Sequence, residues 1–62
     1  MTTQYVTAAS YYPWATGPWA VLVIEVIANG RRTDARREFV IRKDKRAARK
    51  LAAQHNATPW NF

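Results

Sequence analysis

The segment Trp19–Ala28 constrains the fold of this chain more than any other. Its sequence, WAVLVIEVIA, is rich in β-branched side chains and lies between Gly17-Pro18 and Asn29-Gly30, a pattern that predicts a strand. Alternate positions are apolar on both faces: Trp19, Val21, Val23 and Ile27 share one face, and Leu22, Ile24 and Val26 share the other. A strand that is apolar on both faces belongs in the middle of a sheet and needs cover on each side.

The flanking residues predict two more strands. Residues 3–12 mix Thr, Val and Tyr, which favour a strand, and the prolines and glycine of 13–18 indicate a loop. Asn29-Gly30 is a strong hairpin signal, and the returning strand is placed at 35–42.

The hairpin register is predicted from charge. A two-residue turn would set Glu25 opposite Asp34, and like charges directly opposite each other are unfavourable. A longer loop over 28–34 is therefore expected. It gives these pairs: Val21 with Ile41, Val23 with Phe39, and Glu25 with Arg37.

A helix is predicted over 44–56, followed by an aromatic tail at 57–62. Asp44 is a suitable N-cap, and Asn56 and Pro59 end the helix. The apolar side of the helix contains Ala47, Ala48, Leu51, Ala52 and His55, and four cations lie opposite. The expected fold is α+β: a three-stranded antiparallel sheet with one C-terminal helix packed on one face (β-β-β-α), in a single domain. The other face then needs the aromatic termini or a second copy of the chain, so a homodimer is left open.

Charge is concentrated in one part of the chain. All ten Lys and Arg residues of the 62-residue sequence lie between Arg31 and Lys50, and the net charge is +6. Such a basic segment favours a nucleic-acid partner held through its phosphates. The expected contact residues are Arg31, Arg32, Arg36, Arg37, Arg42, Lys43, Lys45, Arg46, Arg49 and Lys50. The helix N-terminus adds amides that favour anions. The alternatives are a solvated helix face and an edge strand protected by charge.

The aromatic residues point to a second function. Most of the eight are expected to pack in the core, because they lie in the uncharged half of the chain. Trp14 and Trp60 lie beside prolines and, with Trp19, are candidate anchors at a protein interface. The alternative function is therefore a protein-interaction module, for instance a phage-encoded modulator of a host protein.

Other functional classes are disfavoured. The chain has no cysteine and one histidine, so no metal or cofactor site is expected. Ser10 and His55 lack the partners of a nucleophile system, so no catalytic residue is assigned and the chain is not expected to be an enzyme. The apolar run Trp19–Ile24 is too short to cross a membrane, and the N-terminus lacks a signal-peptide pattern. A cytoplasmic location is expected.

Residues 19–54 resemble the three-strand-plus-helix DNA-binding module of phage-type tyrosine integrases and plant ethylene-response factors. The shared features are an aromatic-led strand (Trp19-Ala20-Val21), the Asn29-Gly30 turn, the apolar end of a basic strand (Phe39-Val40-Ile41) and a basic helix start (Arg42 to Arg46). The resemblance implies that the sheet enters the major groove, with Arg31, Arg32, Arg36 and Arg37 as contacts.

The segment Lys45–Ala53 is also similar to the last helix of double-stranded-RNA-binding domains. This second resemblance implies that Lys45, Arg46 and Arg49 contact phosphates. Of the two nucleic acids, DNA is expected as the partner ahead of RNA.

Overall fold

The computed structural model describes residues 3–62, which form four strands and one helix. The strands are β1 (Tyr5–Pro13), β2 (Trp19–Ala28), β3 (Arg31–Arg42) and β4 (Thr58–Pro59), and the helix is α1 (Lys45–Gln54). They form one sheet in the order β3-β2-β1-β4, in which β4 is parallel to β1 and the other pairs are antiparallel. The α+β class is confirmed. The prediction of three strands is wrong, because the short β4 adds a fourth strand to the sheet.

The fourth strand is formed by the C-terminal tail. Thr58 and Pro59 lie beside Ala8 and Ala9, and the Trp60 amide donates to the Ala9 carbonyl at 3.1 Å. Asn61 continues this edge with its side chain: Oδ1 accepts from the Tyr11 amide at 2.7 Å, and Nδ2 donates to the Tyr11 carbonyl at 3.1 Å. The tail therefore closes the β1 border of the sheet, as well as carrying its aromatic rings.

The helix covers one face of the sheet, as predicted. Ala48 and Ala52 are fully buried and join the core formed by Ala9, Leu22 and their neighbours. Small side chains let the helix approach closely, so that Phe39, Ile41, Leu51 and Phe62 can pack around the contact. We call this side of the sheet the helix face and the opposite side the open face.

The helix ends follow local signals. Asp44 is the N-cap, and its carboxylate accepts from the Arg46 amide at 2.9 Å, as predicted. The helix stops at Gln54, two residues before the predicted end, and His55 forms the C-cap. The His55 ring lies 5.1 Å from the Phe39 ring, which agrees with the packing role expected of this histidine.

The predicted hairpin register is wrong by one residue. A two-residue turn connects β2 and β3, with Asn29 at φ 50° and Gly30 at φ 81°, as a type I′ turn requires. The pairs are Val21–Val40, Val23–Glu38 and Glu25–Arg36. β3 therefore begins at Arg31 and not at residue 35.

A β-bulge resolves the charge conflict that favoured the longer loop. Between the pairs Glu25–Arg36 and Ile27–Arg32, three residues of β3 oppose Val26 alone. The Thr33 hydroxyl donates to the Val26 carbonyl at 2.8 Å and accepts from the Ala35 amide at 3.2 Å. The extra residues shift Asp34 out of register with Glu25.

The molecule is elongated, with principal extents of 46 × 19 × 16 Å. β3 forms one border of the sheet, opposite the border that the tail closes. Within residues 3–62, no helix has the length and apolar character needed to cross a membrane.

Candidate nucleic-acid interface

All ten predicted contact cations are exposed, but the sheet divides them into two groups. Alternation along β3 places Arg32, Arg36 and Arg42 on the open face, opposite Ile27, Glu25 and Trp19. Arg31 and Arg37 point to the side of the helix, and the helix carries Lys45, Arg46, Arg49 and Lys50. Lys43 lies between β3 and the helix. The ten cations therefore do not form one continuous positive surface, because neighbouring residues of a strand face opposite ways.

Few of these cations have an acidic partner. Arg36 pairs with Glu38 at 2.9 Å, and the Arg32 Nε lies 3.8 Å from a Glu25 carboxylate oxygen. Within residues 3–62, the other eight cations have no carboxylate within ion-pair distance. Their charge remains available to an external anion.

The helix N-terminus is a poorer anion site than the sequence indicates. The Asp44 carboxylate already accepts from the Arg46 amide and brings a negative charge to the first turn. The Lys43 amide is also used, since it donates to the Pro18 carbonyl at 2.8 Å. An anion at this end would therefore depend more on the side chains of Lys43, Lys45 and Arg46 than on the backbone amides.

Most of the aromatic rings are on the surface, contrary to the prediction of core packing. Tyr11 is buried, and Phe39 and Phe62 pack against the core, whereas the exposed aromatics are Tyr5, Tyr12, Trp14, Trp19 and Trp60. The prediction failed because alanines line the helix contact, and they leave room for only a few rings. The three tryptophans proposed as protein anchors are all exposed.

The open face combines aromatic and cationic side chains. Tyr12 lies opposite Val21, and Trp19 lies on the next strand with the Arg42 guanidinium 4.7 Å from its ring centre. This distance is typical of a cation–π contact. Sequence reasoning missed Tyr12, although its alternation with the buried Tyr11 could have identified it.

Trp60 is fixed on the same face. Its indole Nε1 donates to the Ser10 hydroxyl, which is buried, and its amide is held by Ala9. The side chain nevertheless remains 60% exposed. A ring held in place from one side and open on the other is suited to stacking against a planar ligand.

Two acids lie among these residues: Glu38, which pairs with Arg36, and Glu25. Glu25 is only 5% exposed and forms part of a pocket of about 410 Å³ with Val6, Ala8, Ile27, Arg32, Thr58 and Trp60. Within residues 3–62, the Glu25 carboxylate takes part in no side-chain hydrogen bond. Arg36, which lies opposite Glu25 on β3, bonds to Glu38 instead. The Glu25 carboxylate offsets part of the positive charge in the middle of the open face.

Comparison of the chain with protein-family models, with curated proteins and with solved structures found no match.

Proposed function

We propose that this protein binds nucleic acid, with DNA favoured over RNA, mainly through backbone phosphates. The observation that carries the proposal is the set of eight exposed cations that have no acidic partner among residues 3–62, all on β3, α1 and their junction. A polyanion that contacts such residues displaces its counterions, and this release favours binding.

The helix supplies one compact part of the contact. Lys45, Arg46 and Arg49 lie within two turns of α1, so their charged groups can reach neighbouring phosphates. Ala48 and Ala52 anchor the helix against the sheet, Arg46 projects away from this contact, and Lys45 and Arg49 flank it, so the cations lie on a supported element.

The test is a titration of labelled duplex DNA, single-stranded DNA and duplex RNA, followed by fluorescence polarisation over a series of salt concentrations. We expect log Kobs to fall linearly with log[salt] for duplex DNA. Replacement of Lys45, Arg46 and Arg49 by Ala should make this line less steep, by roughly 0.9 for each phosphate that the variant no longer neutralises.

The matched control keeps the charge: Lys45→Arg, Arg46→Lys and Arg49→Lys in one chain. This variant should retain most of the affinity and the salt slope, and both variants should have the circular dichroism spectrum of the parent. Binding that is independent of salt, or unaffected by the alanine substitutions, would contradict the role of the helix. Absence of binding to all three nucleic acids would overturn the proposed function.

The exposure of Trp14, Trp19 and Trp60 favours a second candidate function, a protein-interaction module. It predicts a protein that purifies free of nucleic acid and shows no salt-dependent binding. The ultraviolet absorbance of the purified protein distinguishes the two functions. A high ratio of absorbance at the nucleic-acid maximum to absorbance at the protein maximum indicates bound nucleic acid, and a low ratio favours the interaction module.

A further inference from the structure

The open face carries two columns of functional side chains. One column follows β3 and contains Arg32, Arg36 and Arg42. The other is aromatic and contains Trp19 on β2, Tyr12 on β1 and Trp60 in the tail. Strands in a sheet are about 4.8 Å apart, so the β3 and β1 positions are separated by roughly 10 Å. Charge and aromatic surface therefore run side by side on one face.

The aromatic column is organised before any ligand arrives. Trp60 is held by its bonds to Ser10 and Ala9, and Trp19 is stacked with Arg42. Tyr12 is 46% exposed on a residue that is paired in the sheet with Val21. Fixed rings lose little conformational entropy when a second ring stacks on them.

We propose that the open face binds single-stranded nucleic acid, with bases stacked on Tyr12, Trp19 and Trp60 and phosphates following the arginines of β3. This inference rests on the proposed function and adds the strandedness of the ligand and the residues that sense it. Aromatic stacking combined with a cationic track is the general basis of single-strand binding. The guanidinium plane of Arg42 offers a further stacking surface.

A single strand fits this face better than a duplex. The bases of a duplex are already stacked on each other, so they cannot cover the exposed rings without unpairing. From the row of Arg32 to the row of Arg42 the face is about 26 Å long at 3.3 Å per residue of β2. This length matches roughly eight nucleotides at the 3.4 Å spacing of stacked bases, and fewer in a stretched strand.

Charge favours a polyanion over a second copy of this chain as the occupant. Each copy carries a net charge of +6, so face-to-face association brings two positive molecules together. On the open face itself, a phosphate meets Arg42, which has no carboxylate partner within residues 3–62, and it competes with Glu25 and Glu38 for Arg32 and Arg36. The bases of the same strand cover the rings.

The test uses labelled oligo-dT and oligo-U of about eight nucleotides, with a duplex of the same length. In the full chain, Tyr12→Leu and Trp60→Leu should each weaken single-strand binding by roughly 5- to 100-fold, the usual effect of losing one stacked base. Neither change should alter duplex binding more than about 2-fold, because duplex binding depends on phosphates. Tryptophan fluorescence of the parent should be quenched by the single strands. The ratio of affinities for oligo-U and oligo-dT shows whether the strand is RNA or DNA.

Three controls separate stacking from folding. Tyr12→Phe and Trp60→Phe keep an aromatic ring and should retain most of the affinity, although Trp60→Phe removes the bond to Ser10. Tyr5 is 68% exposed and alternation places it on the other side of the sheet, so Tyr5→Leu should have no effect on single-strand binding. Thermal unfolding of each variant shows whether the fold is retained.

The outcomes distinguish this inference from the function on which it rests. If Tyr12→Leu and Trp60→Leu bind single strands as the parent does while the helix variant loses duplex binding, the stacking inference is wrong and nucleic-acid binding stands. If the parent binds none of the probes, both are wrong. A protein that is dimeric by light scattering and loses single-strand binding at the concentration where it dimerises would assign the open face to a second copy.

Discussion

Asn61 replaces a strand with a single side chain. Its side-chain Oδ1 accepts from the Tyr11 amide at 2.7 Å, and its Nδ2 donates to the Tyr11 carbonyl at 3.1 Å. Asn29 also bonds to the backbone immediately before β1, but on the β2 side: its Oδ1 accepts from the Gln4 amide at 3.0 Å, and its own amide donates to the Gln4 carbonyl at 2.9 Å. The Asn61 side chain thereby satisfies backbone groups of β1 that a longer fourth strand would otherwise have to reach.

Asn61→Ala should destabilise the protein by about 1–3 kcal/mol, because it leaves the partly buried Tyr11 amide and carbonyl without partners. Urea unfolding followed by tryptophan fluorescence measures the change. Asn61→Asp keeps the acceptor for the Tyr11 amide but sets a carboxylate oxygen against the Tyr11 carbonyl, so it should recover little of the lost stability.

Gln54→Ala, at an exposed helix position, is the control for this change and should alter the free energy of unfolding by less than about 0.5 kcal/mol. An Asn61→Ala variant as stable as this control would show that the Asn61 side chain contributes nothing to the closed edge.

At the scale of the elements, the cap of α1 has two opposing effects. The Asp44 carboxylate stabilises the helix through the Arg46 amide, and it places a negative charge between Lys43 and Lys45. Stability and phosphate binding therefore make different demands on this residue.

Substitutions at Asp44 separate the two effects. Asp44→Ala should lower stability by about 1 kcal/mol, whereas Asp44→Asn, which still caps, should stay within a few tenths. Both remove the negative charge and should raise duplex affinity by a similar factor. Parallel urea and polarisation titrations measure this, and an affinity gain restricted to Asp44→Asn would show that the cap rather than the charge controls binding.

The elements that local sequence specifies were predictable, and those that depend on distant partners were not. The strand at Trp19–Ala28, the Asn29-Gly30 turn and the Asp44 cap follow from neighbouring residues. The bulge depends on the Thr33 hydroxyl reaching Val26 across the hairpin, and β4 depends on contacts between residues about fifty positions apart. The exposure of most rings has a different cause: the alanine-lined contact of the helix leaves room for only a few rings, and this contact depends on how the helix packs on the sheet. For Tyr12, alternation with the buried Tyr11 was a usable signal.

At the scale of the whole molecule, the two borders of the sheet are protected differently. The β1 border is closed by the tail, with hydrogen bonds from Trp60 and Asn61. The β3 border, by contrast, has no strand beside it within residues 3–62, and its exposed side chains include most of the arginines. Charge on an edge strand normally discourages another strand from pairing with it.

This protection can be removed by the proposed ligand. When nucleic acid neutralises the arginines, the β3 border loses the charge repulsion that keeps protein copies apart. Several copies bound close together on one nucleic acid should therefore pair through their β3 strands. We expect mixtures at charge balance and low salt to become turbid and to bind thioflavin, and the thioflavin signal to persist when salt is added, because strand pairing is held by backbone hydrogen bonds. Turbid mixtures without thioflavin binding would show ordinary charge condensation instead. Neutralisation of the β3 arginines at charge balance thus carries a tendency towards fibrous assembly, which an excess of either component should suppress because it restores a net charge.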